Sequence, residues 1–152
     1  MGIPPHLKWV ALHILKSYFY RNNYNDLQNL FARFICEMKV LIVDDNSEVR
    51  QMIKRFIRDI AVEIEECADG DEVLAIYKIF FPDWVLLDIE MKKLGGFEAA
   101  KQIMQAFPNA SIIFLTSYND SSLRTIAKEI GAKGFVLKEN LASLREILAE
   151  RV

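Results

Sequence analysis

Two short apolar runs in this sequence end in carboxylates. Lys39-Val40-Leu41-Ile42-Val43 leads into Asp44-Asp45, and Trp84-Val85-Leu86-Leu87 stops at Asp88. If the two runs are neighbouring strands, three carboxylates meet at one edge of a sheet. Carboxylates a few ångström apart repel by about 4 kcal/mol per pair at an effective dielectric of roughly 20, which would raise at least one pKa. A bound cation relieves that repulsion, and hard oxygen ligands with several retained waters suit Mg2+. A carboxylate held beside Mg2+ can also attack a phosphoryl group. Thr116 follows the run Ser111–Leu115, and Lys138 follows Gly134–Leu137. Their hydroxyl and ammonium would stabilise the equatorial oxygens of an in-line transfer. Each feature alone is weak, because an acidic pair after a strand is usually loop, a threonine there a turn residue and a lysine there solvated. Their weight comes from falling at successive strand ends.

The elements that must position these groups alternate regularly from Met38. Unbroken apolar runs such as Lys39–Val43 and Trp84–Leu87 read as strands buried on both faces. Ser111–Leu115 and Gly134–Leu137 read as two more strands, and Glu63–Cys67, which alternates weakly, as an edge strand. A helix is predicted near Ser47–Ile60, capped by Asn46 or Ser47, with Val49, Ile53, Phe56, Ile57 and Ile60 as its stripe. Gly70 opens a second helix carrying Val73, Leu74, Ile76 and Tyr77, ending before Pro82. A third helix, from Phe97 to Phe107, follows Gly95-Gly96. A fourth is capped by Ser121 or Ser122 and stops at Gly131, and Asn140–Arg151 is the fifth. Five strands alternating with five helices imply an α/β fold with a doubly wound, five-stranded parallel sheet and right-handed crossovers. The predicted strand order is 2-1-3-4-5, flavodoxin-like, with ligands at the carboxyl ends of the strands.

A domain of this kind accounts for 38–152; residues 1–37 are a different sort of sequence. They hold 7 of the 17 aromatics and carry Lys8, Lys16, Arg21 and Arg33 against Asp26 and Glu37. Residues 7–20 are too short and too charged to span a bilayer, and no signal-peptide cleavage site follows them. From Asn25, the residues Leu27, Leu30, Phe31, Phe34, Ile35 and Met38 form an amphipathic helical stripe. Two readings of this helical extension stand. It is a docking or dimerisation helix, or translation begins at Met38 and residues 1–37 are upstream sequence read as protein. If genuine, the stripe needs a cover, whether the domain, a second copy making a homodimer, or a membrane surface.

The whole chain has 152 residues, 52% apolar and 26% charged, which excludes disorder and a transmembrane bundle. A net charge of −2 gives no reason to expect direct nucleic acid binding. Cys36 and Cys67 cannot make a disulfide framework or a four-ligand zinc site, and read as reduced thiols of a cytoplasmic protein.

The motifs Val40-Leu41-Ile42-Val43-Asp44-Asp45, Pro82-Asp83-Trp84-Val85-Leu86-Leu87-Asp88-Ile89-Glu90-Met91, Thr116-Ser117 and Gly131-Ala132-Lys133-Gly134-Phe135-Val136-Leu137-Lys138 resemble the receiver domains of two-component response regulators. The resemblance covers roughly 38–150. It implies that Asp88 is the phosphoacceptor, taking a phosphoryl group from phosphohistidine on a sensor histidine kinase or a histidine phosphotransfer protein. It implies that Asp45 and Asp88 ligate Mg2+ directly, with Asp44 acting through water and the main-chain carbonyl of Glu90 completing the set. Thr116 and Lys138 would contact the phosphoryl group. Phe135 would be the switch aromatic, remodelling an effector surface on the fourth helix, fifth strand and fifth helix. Glu90 and Tyr118 would set the lifetime of the acyl phosphate, and Met52 and Arg55 of the first helix would face the kinase. Such a domain signals rather than serving as an enzyme, although it assists its own phosphoryl transfer and dephosphorylation.

The sequence departs from the family at Lys92-Lys93-Leu94-Gly95-Gly96, where a proline and an Asp or Asn are usual, so a looser and more positive loop is expected. Glu139 replaces the proline that often follows the lysine, so a trans bond is expected there. Phe135 lacks a tyrosine's hydroxyl, so its buried state needs no hydrogen-bond partner. Because the chain stops at Val152, a stand-alone, chemotaxis-type receiver is the leading expectation, with a fragment of a longer regulator left open. The competing class is a receiver-fold interaction module that signals without phosphorylation. A nucleotide-binding phosphohydrolase is disfavoured, since Asp44-Asp45-Asn46-Ser47 lacks the glycines that cradle phosphates.

Overall fold

A computed structural model describes residues 38–61 and 63–149. The stripe residues Leu27 to Ile35, the rest of 1–37 and Arg151 lie outside the described residues. Five strands, β1 (Lys39–Val43), β2 (Glu63–Cys67), β3 (Trp84–Asp88), β4 (Ile112–Thr116) and β5 (Gly134–Leu137), alternate with five helices. These are α1 (Ser47–Ile57), α2 (Val73–Phe80), α3 (Gly96–Ala106), α4 (Ser121–Ile130) and α5 (Leu141–Ala149). Every strand pairing is parallel, and the order is β2-β1-β3-β4-β5, as predicted.

The central strands are apolar without alternation because helices cover both faces. On one face, Leu41, Val43, Val85, Leu87, Ile112 and Phe114 pack with Val73 and Tyr77 of α2, Ala99, Ala100 and Ile103 of α3, and Ala127 of α4. The intervening residues Val40, Ile42, Leu86, Ile113 and Leu115 point the other way. They are fully buried too, as are Ile53 and Ile57 of α1 and Leu144 and Leu148 of α5. Each such side chain contributes about 1.5–3 kcal/mol through burial, so the core holds the sheet edge in place. Arg145 ties α5 to α1. Its guanidinium donates to both oxygens of Asp59, at 2.9 and 2.8 Å, and to the Phe56 carbonyl at 2.9 Å.

Several boundaries differ from the sequence reading, each for a local reason. Helix α1 ends at Ile57 rather than Ile60, because the amides of Ile60 and Ala61 both turn back to the Ile57 carbonyl at 2.9 Å. Its cap is Asn46, whose side chain accepts from the amides of Glu48 and Val49. Helix α4 is capped by Asp120, not Ser121 or Ser122; the Asp120 carboxylate accepts from the Ser122 amide and hydroxyl, each at 2.7 Å. Strand β4 runs one residue later than expected and takes in Thr116. Strand β3 likewise takes in Asp88. All described peptide bonds are trans, including the one after Lys138.

Candidate functional site

The carboxyl edge of the sheet is built by register. Val43 lies level with Leu87, Asp88 with Leu115, and Thr116 with Leu137. Asp44, Asp88, Thr116 and Lys138 therefore come off adjacent strands at one edge. Asp44, Asp45 and Asp88 each offer an oxygen within 4.8 Å of the others. The Lys138 ammonium bridges two of them, 2.7 Å from Asp44 Oδ2 and 3.0 Å from Asp88 Oδ1. Asp44, Asp88 and Thr116 are buried, at 1%, 5% and 1% exposure. Asp45 and Lys138 are half-buried.

Such a site strains its own charges. Burial pushes the Asp88 carboxyl up to about 6; Lys138 and the Glu90 amide pull the other way, and Asp44 adds to the push. Burial acts to lower Lys138, but Asp44 and Asp88 outweigh it and hold the ammonium above its ordinary value. Asp44 Oδ1 accepts from the Asn46 amide at 2.9 Å. Its Oδ2 is buried and faces the Lys138 ammonium alone among the described residues. Three clustered carboxylates with a single ammonium between them make a hard, all-oxygen donor set whose charge is only partly balanced. It fits Mg2+, which demands oxygen ligands and relieves just this repulsion.

Thr116 Oγ1 accepts from the Tyr118 amide at 3.1 Å, and the Lys138 amide donates to the Thr116 carbonyl at 2.9 Å. The threonine and lysine are thus coupled through the last rung of the β4–β5 ladder. Phe135 is half-buried in β5, with the Arg124 guanidinium carbon 4.5 Å from its ring centre. Arg124 also donates to Asn119 Oδ1 at 3.2 Å. Glu90 and Tyr118, both exposed, line one open cleft with Asn119 and Leu123 beside the site. On α1, Met52 and Arg55 line a surface groove with Gln51 and Phe56.

The two lysines expected to make the loop after β3 positive behave differently. Lys92 is 90% exposed and only 3.9 Å from Asp45 Oδ2. Lys93 turns away from the carboxylates to Asp69 in the loop after β2, 2.6 Å from Oδ2, where it holds the Asp69 carboxyl below its usual range.

Sequence reasoning missed several supporting residues. Arg50 donates to the Asp44 carbonyl at 2.7 Å and to Glu66 at 3.2 Å, fixing the end of β1. Gly96 lies so close to β3 that a Cβ there would collide with the Asp88 carbonyl oxygen. The Gly95-Gly96 pair was a visible signal of such close approach. Arg50 gave none, because its partners lie on other elements.

The family model described as response regulator receiver domain matches residues 40–149. The uncharacterized transcriptional regulatory protein YhcZ of Bacillus subtilis is 38% identical over 117 residues, 72% of this chain and 54% of that protein. The chemotaxis protein CheY of Thermotoga maritima is 38% identical over 101 residues, 66% of this chain and 84% of that protein. The chain spans about half the length of the transcriptional regulators it matches, 54% for YhcZ and 44% for DegU of Brevibacillus brevis. Among solved structures, the CheX–CheY–BeF3–Mg2+ complex from Borrelia burgdorferi aligns with a TM-score of 0.66 at 31% identity, covering 74% of this chain and 87% of that one.

Proposed function

This chain belongs to the response regulator receiver domain family, a signalling domain of two-component systems, and from that premise we propose that Asp88 is its phosphoacceptor. The observation that carries the reading is the Lys138 ammonium held 3.0 Å from a buried Asp88 carboxylate inside a cluster of three acidic groups. In the transfer, an Asp88 oxygen attacks the phosphorus of a phosphohistidine, the P–N bond breaks, and the imidazole leaves with the electron pair. Asp45 and Asp88 would hold Mg2+ directly, with the Glu90 main-chain carbonyl, and Asp44 through water. When bound, the ion supplies charge neutralisation of the phosphoryl oxygens. Lys138 contributes a second positive charge at the same oxygens. Burial keeps water from screening it.

Thr116 is the group that reads the result. Its hydroxyl now faces the Tyr118 amide, and a phosphoryl oxygen on Asp88 offers it a charged acceptor, a stronger partner. Drawing Thr116 toward Asp88 frees space for Phe135 to move inward, which alters the effector surface of α4, β5 and α5. Glu90 and Tyr118, flanking the cleft, set the lifetime of the acyl phosphate. Met52 and Arg55 of α1 face the kinase or phosphotransfer partner.

Intact mass after incubation with Mg2+ and acetyl phosphate tests the chemistry. Wild type gains one phosphoryl group and Asp88→Asn gains none. An unmodified wild type, with cognate kinase or without, would move the protein to the class of unphosphorylated interaction modules.

A further inference from the structure

The loop after β3, residues 89–95, carries no proline and ends in glycine, so its own sequence stiffens it little. Yet it bears Glu90, whose carbonyl must sit at one position for a cation with near-octahedral demands. The structure shows what restrains it. The Lys93 ammonium lies 2.6 Å from Asp69 Oδ2 and 3.9 Å from Asp71 Oδ2, both in the loop after β2. At the next residue, the Leu94 backbone presses on Gly70, where a Cβ would collide with the Leu94 carbonyl oxygen. Two consecutive residues of one loop thus engage two consecutive residues of the other. The receiving loop is itself anchored. The Cys67 thiol donates to the Asp69 carbonyl at 3.0 Å, and the Cys67 carbonyl accepts from the Asp44 amide at 3.1 Å. Asp69 Oδ1 is buried without a hydrogen bond, so Lys93 is the cation that compensates this carboxylate.

We propose that Lys93 is a positioning residue: its ion pair with Asp69, seated by the Leu94–Gly70 backbone contact, latches the loop after β3 to the loop after β2 and sets Glu90 for Mg2+. The inference rests on the receiver reading of the same site. It makes a prediction opposite in sign to simple electrostatics. Deleting a positive charge near a dication site, by itself, tightens cation binding. Releasing a loop that carries a ligand loosens it.

Calorimetric titration with Mg2+ alone, together with amide hydrogen exchange of the metal-free protein, distinguishes the two. In Lys93→Ala, Mg2+ affinity falls about three- to fivefold, the scale of a partly exposed ion pair, and amides across 89–95 exchange faster. Lys93→Arg restores both. So does the exchanged pair Lys93→Asp with Asp69→Lys, which keeps the net charge. Unchanged or tighter Mg2+ binding in Lys93→Ala overturns the latch and leaves the receiver reading intact. A wild type that gives no Mg2+ signal overturns the receiver reading, and the role given to Lys93 falls with it.

Discussion

Asp88 is held in a state that favours chemistry over stability. Its folded-state pKa, about 6 against 3.8 for the free group, means that the folded protein binds this proton more tightly than the unfolded chain does. For a raised carboxyl, the resulting cost to stability is fully present above about pH 6 and relieved as the pH falls toward the unfolded value. Asp88→Asn in the presence of a chelator should therefore stabilise the fold by about 1–3 kcal/mol at pH 7.5, the worth of a shift this size. The gain should vanish below about pH 4. Urea unfolding at the two pH values checks it, and an equal midpoint at pH 7.5 would contradict the raised Asp88 pKa. Lys138 balances Asp88 only in part, because it also serves Asp44.

Among the elements, β2 and β5 are the two edge strands, and charged side chains hold β2 to its neighbours. Lys39 pairs with Glu63 at 3.1 Å. Glu66 accepts from Arg50 at 3.2 Å, Gln51 at 3.2 Å and Lys54 at 2.8 Å, joining the strand to α1. Exposed acidic side chains on such an edge also discourage pairing with other chains. The Lys54 hydrogen bond, then Arg50's, lower the Glu66 pKa against the opposing effect of burial. A lowered carboxyl contributes stability that is present above the unfolded value of 4.5 and lost as the pH falls through the folded value. Glu66→Gln should accordingly cost less than about 1 kcal/mol at pH 7, since the partners are partly exposed. The cost should shrink as the pH falls below 4.5, as thermal unfolding at a series of pH values would show. Helix starts show where element-level reading reaches its limit. Asp120, Ser121 and Ser122 can all cap a helix, so composition points only to the neighbourhood of the start; the path of the chain leaving β4 selects Asp120.

Across the whole molecule, a cation held at the sheet edge would couple its binding to folding. A ligand bound by the folded state alone stabilises by RT ln(1 + [L]/Kd), about 1.4 kcal/mol at ten times Kd. Millimolar Mg2+ should raise the unfolding midpoint of wild type, and Asp45→Asn should remove most of that rise, since it deletes a proposed ligand. A rise of equal size in the variant would place the cation elsewhere. Among the described residues, no helix is long and apolar enough to cross a membrane.

The order of elements, the parallel sheet and the convergence of Asp44, Asp45, Asp88, Thr116 and Lys138 were legible in the sequence. Strands buried on both faces announce themselves as unbroken apolar runs, and a polar residue ending such a run must emerge at the sheet's carboxyl edge. Periodicity and punctuation are local signals, and the fold class depends on little else. What the tertiary structure alone decided is which charge meets which. Lys93 reaches Asp69 rather than the acidic cluster, Arg124 lies over Phe135, Arg50 holds the end of β1, and Asp88 carries a raised pKa. These depend on distances between elements far apart in the chain and on how much water each group has lost. Neither quantity is written in local sequence, because both are set by how the helices pack on the sheet.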